Sequence, residues 1–143
     1  MASQGFLKAT LGSCVAIALI DRKRKVCALA HCLLPYAPRG ASPADARFAD
    51  HALQNLMKAG GWEPTGNRGL SGYLAGGARM IPETDGSRPT VGEMNVTAAQ
   101  TAFDSHRIRY QVLEVGGTEG YSVLLDCEAL TLTCNKIRPE TAE

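Results

Sequence analysis

The chain has 143 residues, 45% hydrophobic and 20% charged, with a formal net charge of +1. That length makes one domain spanning 1–143, large enough to bury roughly two thirds of the surface its unfolded chain exposes. The near-neutral balance offers no basic field for a nucleic-acid partner, and no run approaches the ~20 apolar residues of a membrane span.

The N-terminal MASQGFLKA has one lysine and no apolar stretch of signal-peptide length, so the expected location is cytoplasmic, with no membrane insertion. Thr10 to Ile20 then reads as one nearly unbroken apolar strand, which implies cover on both of its faces. A charged turn follows, and Val26 to Leu34 returns until Pro35, which lacks an N–H, stops it. A four-residue loop at Asp21 to Arg24 pairs Ile20 with Lys25. That register sets Cys14 directly opposite His31, on one face and roughly 5 Å apart at Cβ. A slip of one residue turns His31 to the other face.

Ser42 before Pro43 reads as a helix start, with Ser42 as N-cap and Asp45 in the first turn. The helix runs to about Ala59, where Gly60-Gly61 ends it. Phe48, Ala52 and Leu56, with Ala49, Leu53 and Met57, make the stripe that faces a sheet, and His51 lies off it. Trp62 to Gly69 is a polar loop. Leu70 to Ala75 is a short strand ending in Gly76-Gly77, a pair that permits positive φ or close approach of another backbone. Ile81 to Pro89 is a loop without periodicity.

Asn95 is expected to cap a second helix over about Val96 to His106. The remainder is β: Arg109 to Val115, a glycine-rich turn, Tyr121 to Asp126 and Leu130 to Ile137. The polar tail from Arg138 is expected to fray. The order of elements lacks regular βαβ alternation. It argues an α+β fold, a largely antiparallel sheet or sandwich core with two main flanking helices.

The five cysteines (Cys14, Cys27, Cys32, Cys127 and Cys134) are odd in number and lack metal-ligand spacing, so no metal site is expected. Most read as small buried hydrophobes. Cys14 admits two readings, a core cysteine in an apolar strand or a nucleophile left accessible by Gly12-Ser13. For His31 the alternatives are a satisfied core histidine and the base that holds a thiolate. No phosphate loop and no paired carboxylates appear, so no cofactor is expected.

The run TLGSCVAIALID and then AHCLLPY, followed by RFADHAL, LAGGARM, VGEMN and EVGG, resembles the CheD family of chemoreceptor glutamine deamidases over about residues 8 to 137. The resemblance implies a cysteine amidohydrolase fold shared with some deamidating toxins. It implies Cys14 as nucleophile and His31 as general base, and cytoplasmic helices of chemotaxis receptors as substrate. Methyl-ester hydrolysis as a side activity and a CheC-type phosphatase as regulatory partner come with it. A degenerate relative that docks on receptors or on the phosphatase without chemistry is the alternative. The family's imidazole-orienting threonine aligns with Lys8; Thr10, which shares the strand parity of Cys14, is the residue expected in its place. The family's earlier strand leaves Phe6 to Thr10 as its remnant.

Overall fold

The computed structural model describes residues 4–40, 47–63, 69–79 and 89–137. Seven strands and two helices follow one another as β1 (Phe6–Leu11), β2 (Val15–Asp21), β3 (Val26–Cys32), α1 (Ala49–Gly60), β4 (Leu70–Gly76), α2 (Val91–Ser105), β5 (Tyr110–Val115), β6 (Gly120–Asp126) and β7 (Thr131–Ile137). Strands β3-β2-β4-β5 form one sheet and β1-β6-β7 a second. All pairings are antiparallel except β4 with β5, which α2 connects. This is the expected α+β sandwich, arranged as helix layer, four-stranded sheet and three-stranded sheet.

Strand β2 is buried at all seven positions because it is covered twice. Val15, Ile17 and Leu19 pack with Ala52, Leu53, Ala99 and Phe103 under the helices. Ala16, Ala18 and Ile20 face the other sheet, where Leu11, Tyr121, Val123 and Leu125 meet them. A strand buried on both faces needs no alternation, hence its uniform apolar run.

Two expectations about this ribbon are corrected. The strand read from Thr10 to Ile20 is two strands in different sheets. Leu11 pairs with Tyr121 and Val15 pairs with Cys32 and Gly76, so Gly12-Ser13-Cys14 is the crossing between sheets. The register also moves by two residues: Ala16 pairs with His31, Asp21 pairs with Val26, and the loop is residues 22–25. Asp21 is the reason. Its Oδ1 accepts from the Lys23 and Arg24 amides at 3.1 and 3.0 Å, and its Oδ2 accepts from Trp62 Nε1 at 2.8 Å. Such a carboxylate belongs at the end of the strand, closing the turn above it. Lys25 then takes the left-handed conformation, φ 56°.

Helix α1 begins at Ala49, later than expected, because Phe48 is extended and bridges Leu34. Ser42, Pro43 and Asp45 lie outside the described residues, as do most of the Ile81–Pro89 loop and the tail from Arg138. At its other end Gly61 adopts φ 70°, and the Gly61 and Trp62 amides return to Lys58 and Met57 carbonyls. Trp62 folds back over Gly60, where a Cβ would overlap its ring. Arg24 lies 5.3 Å over the indole and donates to the Gly60 carbonyl at 2.6 Å, tying the hairpin tip to the helix.

Helix α2 begins at Val91, not Val96. Thr90 is its N-cap, accepting from the Glu93 amide at 3.1 Å. Thr90-x-x-Glu93 is a capping-box spacing, and it places Asn95 inside the helix on the same side as Gly92, Ala98 and Ala99, all buried.

Candidate active site

Three consecutive carbonyls of the sheet crossing are each held. Gly12 O accepts from the Ala78 amide at 3.0 Å, Ser13 O from Asn95 Nδ2 at 2.9 Å, and Cys14 O from the Gly77 amide at 2.8 Å. The Gly76-Gly77 turn therefore touches Cys14, as its paired glycines suggested. Gly76 has φ 107° and Gly77 φ 73°, and a Cβ on Gly76 would overlap the Cys14 carbonyl oxygen. A Cβ on Gly77 would strike Val96 and the Gly92 carbonyl, and one on Gly92 the Gly77 and Ala78 carbonyls. The first turn of α2 is pressed onto the glycine turn, which is pressed onto the cysteine loop.

Cys14 itself is half-buried and packs against the inter-sheet cluster that includes Leu11, Ala16 and Tyr121. Burial pushes its thiol up from the ordinary value, and its own backbone amide pulls it partly back. The sequence suggested a thiolate held by His31; the shift from burial runs the other way, toward the neutral thiol. Cys32, fully buried under the helices, is pushed up to about 12 by burial and by the neighbouring Cys14. Cys27 is pushed up to about 12 by burial and by Cys127. All five cysteines are free, and only Cys14 and Cys134 are better than buried.

His31 is not directly opposite Cys14. Its partner is Ala16, two residues further along. A shift of two preserves the side-chain face, and Cys14, on the crossing just before β2, lies next to Val15, whose partner Cys32 follows His31. Strand β3 is the sheet edge, and His31 is exposed there. The chain beyond it turns back at once. The Leu33 and Leu34 amides donate to the Arg47 carbonyl, and Leu33 O accepts from Asn95 Nδ2 at 3.2 Å.

Thr10 is placed elsewhere. It lies on β1, in the three-stranded sheet, and is exposed, as is Lys8, while Ala9 and Leu11 alternate inward. The parity shared with Cys14 fails because Thr10 lies on β1 while Cys14 lies on the crossing beyond it, before β2 begins. Among the described residues no cluster of three or more metal-ligating side chains occurs. No helix there is long and apolar enough to cross a membrane. Asn95 is the residue that sequence reasoning missed. The capping-box spacing upstream was the signal that would have moved it from cap to core.

The chain is thus an α+β sandwich whose Cys14 sits where the chain passes between sheets, in a loop fixed by a glycine turn and a buried asparagine. A family profile described as CheD chemotactic sensory transduction matches residues 33–136. Similar proteins include a probable chemoreceptor glutamine deamidase CheD of Bdellovibrio bacteriovorus, 37% identical over 118 residues, 80% of this chain and 74% of that protein. One of Pyrococcus abyssi is 36% identical over 90% of this chain and 76% of its own length. One of Clostridium botulinum is 34% identical over 81% and 73%. The chain belongs to the CheD family.

Proposed function

We propose that the protein hydrolyses the side-chain amide of specific chemoreceptor glutamines, with Cys14 as nucleophile and His31 as the proton-transfer partner. Family membership across most of the chain carries this reading. The partly exposed cysteine, in a loop held on three consecutive carbonyls, is its structural support.

His31 takes the thiol proton as sulfur attacks the amide carbon. A C–S bond forms and the carbonyl electrons move onto oxygen. The Cys14 amide is the natural donor to that oxyanion. Collapse of the tetrahedral species breaks the C–N bond, and the imidazolium returns its proton to the departing ammonia. Water, deprotonated by His31, then cleaves the thioester to glutamate and regenerates the thiol. The balance is glutamine plus water giving glutamate and ammonia. A glutamate methyl ester follows the same course with methanol leaving, so ester hydrolysis is a side activity.

The substrate segments are cytoplasmic receptor helices, the place of action is the cytoplasm, and a CheC-type phosphatase is the regulatory partner. Mass spectrometry of a receptor cytoplasmic fragment after incubation tests the proposal. Glutamine-to-glutamate conversion with equimolar ammonia is expected, and no conversion at any glutamine overturns it. One observation favours a second reading, a module that docks without chemistry: Lys8 stands where the family has its imidazole-orienting threonine, and both Lys8 and Thr10 lie on the exposed face of β1. Ammonia release separates the two.

A further inference from the structure

Asn95 is fully buried, and its Nδ2 bridges two backbone carbonyls from distant parts of the chain, Ser13 and Leu33. Both neighbours are acceptors, so the group between them must be the amide nitrogen. Its Oδ1 is left buried with no hydrogen-bond partner. An orphaned buried acceptor is destabilising. What offsets that penalty is its two donor bonds.

The first of those bonds fixes more than a carbonyl. The Ser13 C=O and the Cys14 N–H belong to one planar trans peptide unit and point in opposite directions. Holding the oxygen toward α2 therefore turns the Cys14 N–H away from α2. The flanking bonds, Ala78 to Gly12 O and Gly77 to Cys14 O, come from the glycine turn, and among the described residues the middle carbonyl is held by Asn95. The second bond ties the same side chain to the end of the strand that carries His31.

We infer that Asn95 is a positioning residue: by holding the Ser13 carbonyl it aims the Cys14 N–H at the reacting carbonyl oxygen and at the cysteine sulfur. This rests on the reading of Cys14 as nucleophile. It is tested in a way that does not depend on the receptor substrate. The same N–H that serves an oxyanion stabilises the Cys14 thiolate, so losing its alignment raises the pH at which Cys14 alkylates.

The experiment compares the full chain with Asn95→Leu, which fills similar space without a donor, and with Asn95→Asp, which keeps the shape and places acceptors against acceptors. Cys14 alkylation by iodoacetamide is followed against pH by peptide mass spectrometry, with thermal unfolding as a check on folding. In whichever variant folds, the alkylation midpoint moves upward and labelling below it slows about three- to tenfold. With a receptor fragment as substrate, kcat falls about a hundredfold, the scale of a lost oxyanion donor, while KM stays within about threefold. A folded variant with a lowered melting temperature but an unchanged alkylation midpoint overturns the inference and leaves Asn95 a packing residue. Wild-type protein that deamidates nothing sinks the function, while the alkylation profile still decides the role of Asn95.

Discussion

Burial at Cys14 favours the neutral thiol over the thiolate. Desolvation raises its pKa, and the opposing pull of its own amide is smaller. Its thiolate fraction therefore grows tenfold per pH unit across the neutral range, and the alkylation rate climbs with it. A plateau of Cys14 labelling below pH 7 would show instead a preformed ion pair with His31. Cys14 and Cys134 are expected to label in the native state, and Cys27, Cys32 and Cys127 only on unfolding, because the latter three are buried. Cys14→Ala, a small residue for a small one, should abolish deamidation with the melting temperature within a few degrees of wild type. Retained activity in that variant points to a different nucleophile.

At the scale of elements, two junctions hold the ribbon. One is the glycine turn after β4. Gly76→Ala places a side chain at φ 107° and drives it into the Cys14 carbonyl oxygen, which is backbone and cannot swing aside. A loss of more than about 2 kcal/mol in urea unfolding, with activity falling too, is expected. Near-normal stability would mean that the crossing loop yields. The other junction is the hairpin tip. Burial alone would raise the Asp21 carboxyl, but the Trp62 indole N–H, the Arg24 and Lys23 amides and the Arg24 charge together bring it below the usual value. A carboxyl lowered in the fold stabilises it above the unfolded pKa, and that contribution is lost as pH falls through the folded one. Trp62 is the single tryptophan, so its emission reports the contact directly. Asp21→Asn should shift that emission and flatten the acid-side loss of stability. An unchanged acid limb would remove Asp21 from the account.

At the scale of the whole molecule, the sandwich buries thiols on both sides of its central sheet. Cys32 lies under the helices, and Cys27 faces Cys127 across the sheets. Both Cys27 and Cys32 hold their protons to about 12 in the fold, while an unfolded cysteine releases its proton near 9.0. The sign follows: their contribution is fully present below pH 9 and is lost as pH rises toward 12, by up to ~1.4 kcal/mol per group per pH unit. Urea midpoints should fall steeply from pH 9 to 11, and Cys32→Ala should lessen the slope. A flat midpoint across that range would show that these sites admit water.

Apolar content and turn chemistry were enough to read most of the elements locally. The nearly unbroken run read from Thr10 to Ile20 demanded cover on both faces, and the Gly60-Gly61 and Gly76-Gly77 pairs marked a helix end and a close approach. The α+β class followed from element order, and the spaced motifs from LGSC onward led to the family. What the tertiary structure decided lies where local pattern is degenerate. A strand's apolar content does not say which sheet it joins, so the break at Gly12-Ser13-Cys14, and with it the placement of Thr10 on the exposed face of the other sheet, was invisible. A register shift of two leaves every side chain on its face, so hydrophobic pattern could not tell Cys14 from Ala16 as the partner of His31. That choice is made by the Asp21 carboxylate and the Trp62 indole, 41 residues apart in sequence and hydrogen-bonded only once the chain has folded.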